Sequence, residues 1–138
     1  MSSITTHTAS CRCGQLRATA SGDPARVSVC HCLDCKRRSG SAFAVQARWP
    51  EDRVIVEGRS KSWANFARSG NRITFHFCPE CGSRLFTSNL ESFPGAVFVT
   101  LGSLDDPGEI APKLEMFVKR RLEWVAPLDL PQFEGMPG

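Results

Sequence analysis

Seven cysteines stand in three short groups along the 138-residue chain, and this grouping constrains the fold more than any other feature. The groups read CRC (Cys11, Cys13), CHCLDC (Cys30, Cys32, Cys35) and CPEC (Cys78, Cys81). Cysteines two or three residues apart can place two sulfurs on one tight turn, as zinc knuckles do. A disulfide within CRC or CHC would close a strained small ring, and an odd total leaves one thiol over. The spacing therefore favours metal binding over disulfides.

The rest of the sequence is typical of a globular protein in a reducing compartment. The N-terminal MSSITTHTAS shows no signal peptide, and no apolar run approaches the ~18 residues of a membrane span. We predict a cytoplasmic protein, one domain over residues 1–138, with no membrane partner. The formal net charge of +3 is small, which argues against nucleic acid and leaves room for an anionic small molecule.

Short strand patterns dominate the sequence. We predict nine strands, in GQLRATASG, ARVSVC, SAFAVQARW, RVIVEG, KSWANFARS, NRITFHFC, RLFTSN, AVFVTLGSL and KLEMFVKRR. The single expected helix is LDCKRRSGS, ended by Gly40, and LDDPGEIAP should be loop with at most one helical turn. Four aromatic residues are expected in the core or in a pocket wall: Phe43, Trp63, Phe66 and Trp124. The pattern predicts an all-β fold with one short helix.

Counting ligands divides the cysteines into four and three. The CPEC pair needs two further ligands, and the CRC pair supplies two, which makes a closed structural zinc site of Cys11, Cys13, Cys78 and Cys81. A second zinc would then have three protein ligands and an open fourth position, the arrangement of reactive zinc sites. Water, a substrate thiol or His31 could fill that position. The alternative of a single zinc, with CHCLDC giving only a pair, stays open.

Three motifs resemble those of a known family. CRCG, CHCLDCKRRSGSAF and FCPECGSRLF, with the ending FVKRRLEWVAPLDLPQFEGMP, resemble the glutathione-dependent formaldehyde-activating (centromere-protein-V) family, with Lys36 where the family pattern has arginine. The resemblance implies an Mss4-like, or β-tent, fold with two zinc ions per chain. It implies structural ligands at Cys11, Cys13, Cys78 and Cys81, and a second site at Cys30, Cys32 and Cys35. It also implies condensation of formaldehyde with glutathione, a carbon–sulfur lyase reaction run in reverse.

The catalytic hypothesis assigns the chemistry to Cys30, Cys32 and Cys35. Zinc held there would take an incoming thiol as thiolate, and three thiolate ligands favour that role over strong activation of a carbonyl. Lys36, Arg37 and Arg38 follow directly and would bind the carboxylates of a glutathione-like ligand. We expect His31 to be packed or solvent-facing rather than a ligand. Lys119, Arg120 and Arg121 should alternate along a strand, with at least one side chain pointing inward.

A second hypothesis comes from a different class of protein. The chain would be a non-catalytic zinc module that carries glutathione or binds a protein or nucleic-acid partner, with CKRR and VKRR as basic surface. The small net charge and the expected burial of the aromatic residues argue against nucleic acid.

Overall fold

The computed structural model describes residues 5–66, 70–88 and 94–137. The strands within these ranges are β1 (Thr6–Ser10), β2 (Arg17–Ser21), β3 (Arg26–Cys30), β4 (Ala44–Pro50), β5 (Val54–Glu57), β6 (Lys61–Phe66), β7 (Arg72–Phe77), β8 (Arg84–Ser88), β9 (Ala96–Thr100) and β10 (Leu114–Met116). Helix α1 spans Leu33–Ser39 and ends at Gly40, whose φ is 67°. Short 3-10 turns lie at Glu51–Arg53, Leu101–Ser103, Pro107–Glu109 and Val118–Arg120. None of the described helices is long and apolar enough to cross a membrane.

The strands form two sheets. The smaller sheet has the order β1–β2–β5, and the larger has the order β10–β3–β4–β9–β8–β7–β6. Neighbouring strands are antiparallel except for β10, which pairs with β3 in parallel. Two sheets with one short helix confirm the predicted all-β, Mss4-like architecture. The α1 helix and the predicted turn in LDDPGEIAP are confirmed as well.

The hydrophobic core lies where the two sheets face each other. Alternate residues of β2, Ala18 and Ala20, are buried there against Trp49 of β4, which is 0% exposed. Alanine adds little bulk, so a sheet lined with alanines leaves space for a large indole from the other sheet. The Trp49 Nε1–H donates to the carbonyl of Gly22 at 2.9 Å, which gives the buried ring its polar partner.

One glycine allows a close approach that no other residue permits. Gly58 follows β5 with φ of +97°, and a Cβ at this position would lie 2.0 Å from the carbonyl oxygen of Gln15. The approach brings the chain after β5 against the loop that follows CRC. Gln15 then bonds to Arg59 twice: its Nε2 donates to the Arg59 carbonyl at 2.8 Å, and its Oε1 accepts from the Arg59 N–H at 2.9 Å.

The structure corrects two strand predictions. β1 was not predicted because its sequence THTAS is polar, yet His7 and Ala9 are buried in the sheet. The strand predicted in KLEMFVKRR covers only Leu114–Met116, because Phe117 has φ of 55° and a 3-10 turn follows at Val118–Arg120. The prediction that Lys119, Arg120 and Arg121 alternate along a strand is therefore wrong. Residues 67–69 and Asn89, which two predicted strands included, lie outside the described residues.

The aromatic prediction is also wrong for three of its four residues. Trp63, Phe66 and Trp124 are 54%, 65% and 77% exposed, whereas Phe43 is partly buried. Trp63 and Phe66 lie on β6, the edge strand of the larger sheet, where only one neighbouring strand covers them. These rings are exposed and could stack on bases, so only the small net charge of +3 still speaks against nucleic acid.

Candidate metal centres and substrate pocket

Four cysteines from distant parts of the chain meet in one cluster. The sulfurs of Cys11, Cys13, Cys78 and Cys81 all lie within 4.8 Å of one another. The Cys11–Cys13 and Cys13–Cys78 sulfur separations are 3.6 and 3.7 Å. Zinc–sulfur bonds of about 2.3 Å in a tetrahedron require sulfurs about 3.8 Å apart, so both of these separations match a tetrahedral zinc site.

Neighbouring groups already direct hydrogen bonds at these sulfurs. The N–H of Leu16 donates to Cys11 Sγ at 3.3 Å, and the Gln15 side-chain amide donates to Cys78 Sγ at 3.0 Å. Hydrogen bonds with the side chain and backbone of Ser83 lower the pKa of Cys81 to about 5. Donors aimed at sulfur favour the thiolate, which is the form that binds metal. Sequence reasoning missed Gln15, since nothing local to it marks a contact with Cys78.

The other three cysteines form a second cluster around the start of α1. Cys30 ends β3, Cys32 caps the helix and Cys35 lies in its first turn, and their sulfurs also lie within 4.8 Å of one another. Hydrogen bonds from Cys30 and Cys35 lower the pKa of Cys32 to about 2, whereas the pKa of Cys30 is raised by its bonds to the other two thiols and by burial. The three sulfurs therefore lie close enough together to bind one cation.

A pocket of about 590 Å³ opens beside the second cluster, and Cys35 is the cluster residue that lines it. Its other walls come from the connection between α1 and β4, from Gly82–Arg84 next to the first cluster, and from Thr100–Ser103. The volume lies in the usual range for small-molecule sites.

Two arginines give this pocket its charge. Arg38 Nη2 donates to Cys35 Sγ at 2.9 Å, and the Arg38 guanidinium lies 4.5 Å from the centre of the Phe75 ring. Arg84 lies 5.7 Å from the same ring and donates to the backbone carbonyl of Arg38. Burial and the positive charge of Arg38 lower the pKa of Arg84 to about 10. A bound anion would offset both effects, so the pocket suits a ligand with a carboxylate.

The three basic residues predicted to bind substrate carboxylates occupy different surroundings. Arg38 lines the pocket, Lys36 donates to the backbone carbonyl of Arg120, and Arg37 is exposed. Sequence reasoning missed Arg84, a lone arginine at the start of β8 without a basic neighbour in sequence.

His31, between two of the clustered cysteines, is packed. Its side chain is fully buried, and Nε2 lies 2.8 Å from Oε1 of Glu115. Among the described residues, neither of the two cysteine groups that could hold a metal ion includes it. Phe43, a pocket residue, packs against the imidazole at 5.5 Å between ring centres.

Comparison with protein families gives a match that extends over most of the chain. The family model described as glutathione-dependent formaldehyde-activating enzyme matches residues 6–120. The chain belongs to this family. Comparison with curated proteins finds no match.

One solved structure supports the fold of this formaldehyde-activating family member. It is the crystal structure of a Rhodobacter sphaeroides protein from structural genomics, which is 19% identical to this chain. The alignment covers 91% of this chain and 98% of that protein, with a TM-score of 0.55. At this identity the likeness is one of fold. The family match contains all seven cysteines and ends at Arg120, so Arg121 and the segment after it lie beyond the matched region.

Proposed function

We propose that the protein is a zinc-dependent, carbon–sulfur lyase-like enzyme that acts on the adduct of glutathione, or a similar thiol, with formaldehyde or another small aldehyde. The observation that carries the proposal is the contact between the three-cysteine cluster and a ligand-sized pocket through Cys35. Membership of the formaldehyde-activating family supports this substrate class.

The two clusters would have different roles. Cys11, Cys13, Cys78 and Cys81 supply four sulfurs and would hold a closed structural zinc, whereas Cys30, Cys32 and Cys35 supply three and would leave one position open. Zinc bound by the three cysteines would lower the pKa of an incoming thiol, so that the thiol is held as the more nucleophilic thiolate.

The chain's own residues would bind and orient the thiol. Arg38 and Arg84 carry the positive charge of the pocket, and guanidinium groups bind carboxylates through paired hydrogen bonds. A glutathione carboxylate held there would keep the tripeptide beside Cys35. Holding both reactants in one pocket accelerates their addition because it replaces a chance encounter in solution.

The overall reaction is an addition that needs no oxidant. The sulfur forms a bond to the aldehyde carbon, the carbonyl π pair moves to oxygen, and the proton lost by the thiol ends on that oxygen. The product is S-(hydroxymethyl)glutathione when the aldehyde is formaldehyde, and the same path in reverse cleaves the carbon–sulfur bond.

Exchange NMR with ¹³C-formaldehyde and glutathione tests the proposal against the spontaneous rate. We expect the purified protein to accelerate adduct exchange and Cys32→Ser to lose the acceleration together with one zinc ion. Glu80→Gln changes an exposed side chain beside the first cluster, and this variant should keep the acceleration and both zinc ions. Full acceleration by Cys32→Ser with two ions retained would contradict the proposal. Glutathione binding without acceleration would support the alternative of a non-catalytic carrier.

A further inference from the structure

A buried carboxylate lies behind the three-cysteine cluster, on the strand that pairs with the one leading into it. Glu115 is 1% exposed and stands in the middle of β10, opposite Val29 of β3. A buried carboxylate is costly unless its oxygens are hydrogen-bonded, so its partners show what holds it there.

Four donors surround the Glu115 carboxylate. Oε1 lies 2.8 Å from Nε2 of His31, and Oε2 accepts from the Leu128 N–H at 2.8 Å, from Gln132 Nε2 at 2.7 Å and from Arg121 Nη2 at 3.2 Å. Burial alone would raise the pKa of Glu115, but these bonds lower it to about 2. The carboxylate is therefore charged and fully occupied, with one bond to His31 and three to the segment after β10.

His31 connects this carboxylate to the metal-ligating loop. An ionised carboxylate can only accept, so Nε2 of His31 carries the hydrogen, and Nδ1 has no partner in the described part of the chain. The backbone N–H of His31 also donates to the carbonyl of Met116, the residue after Glu115, at 3.1 Å. Both the side chain and the backbone of the residue between Cys30 and Cys32 are thus held by β10.

The same region also contacts the other end of the loop. Lys36, the residue after Cys35, donates to the backbone carbonyl of Arg120. The chain from Glu115 to Arg120 therefore bonds to the residues on both sides of the Cys32–Cys35 turn. It is fixed in turn by backbone bonds from Val118 to Phe133 at 3.0 Å and from Phe117 to Gly135 at 3.2 Å.

We infer that Glu115 is a positioning residue for the second metal site, acting through His31 on the backbone that carries Cys30 and Cys32. The inference rests on the proposed binding of a metal ion by Cys30, Cys32 and Cys35. The residues after Arg120, which the family match does not include, support the site from behind by holding the Glu115 carboxylate. Groups that orient metal ligands from outside the first coordination sphere commonly change metal affinity by about 10–100-fold.

The test measures zinc release to a chromogenic chelator, apart from any activity. Wild-type protein loaded with zinc should release two ions in two phases, and Cys32→Ser, which keeps only the four-cysteine ion, identifies the phase of that site. In Glu115→Gln, the side chain has one acceptor oxygen, whereas the carboxylate has two oxygens for its four donors. We expect this variant to release the second ion at least about ten times faster than wild type and the four-cysteine ion at an unchanged rate.

His31→Phe separates positioning from general stability. This variant leaves the three bonds from Arg121, Leu128 and Gln132 to Glu115 in place, yet it should speed release of the second ion in the same way. The double variant should release the second ion no faster than the faster of the two single variants, because both changes break the same connection between His31 and Glu115. The matched control is Glu109→Gln, which removes the carboxylate of a histidine–carboxylate pair with His7 (3.1 Å) that belongs to neither cluster, and it should leave both phases unchanged.

The outcomes separate the inference from the proposed function. Two ions in the wild type, with second-site release unchanged in Glu115→Gln, would overturn the positioning role and leave the proposed function standing. Equal acceleration of both phases would also overturn it, because it would show a loss of overall stability. Only one ion in the wild type would overturn the metal assignment itself and the inference with it.

Discussion

Arg84 donates a hydrogen bond to the backbone carbonyl of Arg38, which joins β8 to the end of α1 across the pocket. The bond ties the segment after the four-cysteine cluster to the helix that carries Cys35. It also holds two positive charges near one aromatic ring, that of Phe75. An arrangement that keeps two guanidinium groups together at a pocket is suited to binding an anion.

We therefore expect Arg84→Gln to weaken the binding of glutathione. Loss of a charge-assisted hydrogen bond costs about 1.5–3 kcal/mol, which corresponds to a rise of about ten-fold or more in KM for glutathione. Initial rates of adduct formation at varied glutathione concentration measure this directly. Arg59→Gln, which removes an exposed arginine paired with Glu80 at 3.0 Å, is the control and should leave KM unchanged. An unchanged KM in Arg84→Gln would exclude Arg84 from carboxylate binding.

The two cysteine clusters should differ in their effect on folding. We expect Cys78→Ser to lose the fold, because structural zinc contributes about 10 kcal/mol or more and typical domains are stable by only about 5–15 kcal/mol. Cys32→Ser should stay folded and contain one zinc instead of two. Metal analysis and circular dichroism of both variants test the difference. A folded Cys78→Ser variant with normal melting behaviour would show that the four-cysteine site is not structural.

Gly58→Ala should destabilise the protein strongly. The added Cβ would lie 2.0 Å from the Gln15 carbonyl, and φ of +97° is unfavourable for alanine, so we expect a loss of at least about 2 kcal/mol. Gly22→Ala is a matched control, because its φ is +81° but nothing lies within 4 Å of the new Cβ, and it should cost about 1 kcal/mol. Urea denaturation with excess zinc measures the free energy of unfolding of both variants. Equal losses of stability would show that the contact with Gln15 adds no cost at Gly58.

Glu115 should stabilise the fold in a pH-dependent way. Hydrogen bonds outweigh burial and lower its pKa from 4.5 to about 2 in the folded protein. A lowered carboxylate pKa gives stability that is fully present above about pH 4.5 and is lost as the pH falls towards 2. The shift corresponds to about 3 kcal/mol.

The measurement is the stability difference between wild type and Glu115→Gln. We expect this difference to be constant above about pH 5 and to shrink by about 3 kcal/mol towards pH 2. Acid also protonates the clustered thiols, but it does so in both proteins, so that effect cancels in the difference. A difference that does not change with pH would mean that Glu115 has an ordinary pKa in the folded state.

The features that sequence reasoning predicted well are those encoded locally. CRC, CHCLDC and CPEC place their sulfurs by short spacing, and the turn chemistry of Gly40 ends α1 where expected. β1 was missed because its core-facing residues are His7 and Ala9, which do not give an apolar alternation. Large aromatic residues are usually well buried, which is why the sequence predicts Trp63 and Phe66 in the core or in a pocket wall. Sequence alone does not show that β6 is an edge strand.

The missed parts of the candidate sites depend on contacts between distant residues. Gln15 and Cys78 are 63 positions apart, and His31 and Glu115 are 84 positions apart. From its sequence context in KLEMF, Glu115 would be taken for an exposed strand residue. Its four hydrogen-bond donors come together only when the chain has folded. Hydrogen-bond partners of this kind leave no signal in the spacing of a single sequence.

The parallel pairing of β10 with β3 has a consequence for the order of events during synthesis. Residues 11–81, which contain every cysteine of both clusters, are translated before Glu115 and Gln132. The nascent chain can therefore gather all seven thiols while the histidine between Cys30 and Cys32 still lacks its acidic neighbour. If the clusters bind metal as proposed, the three-cysteine site would be completed only when β10 docks, so a truncated translation product would bind the four-cysteine ion and lack the support of the second site.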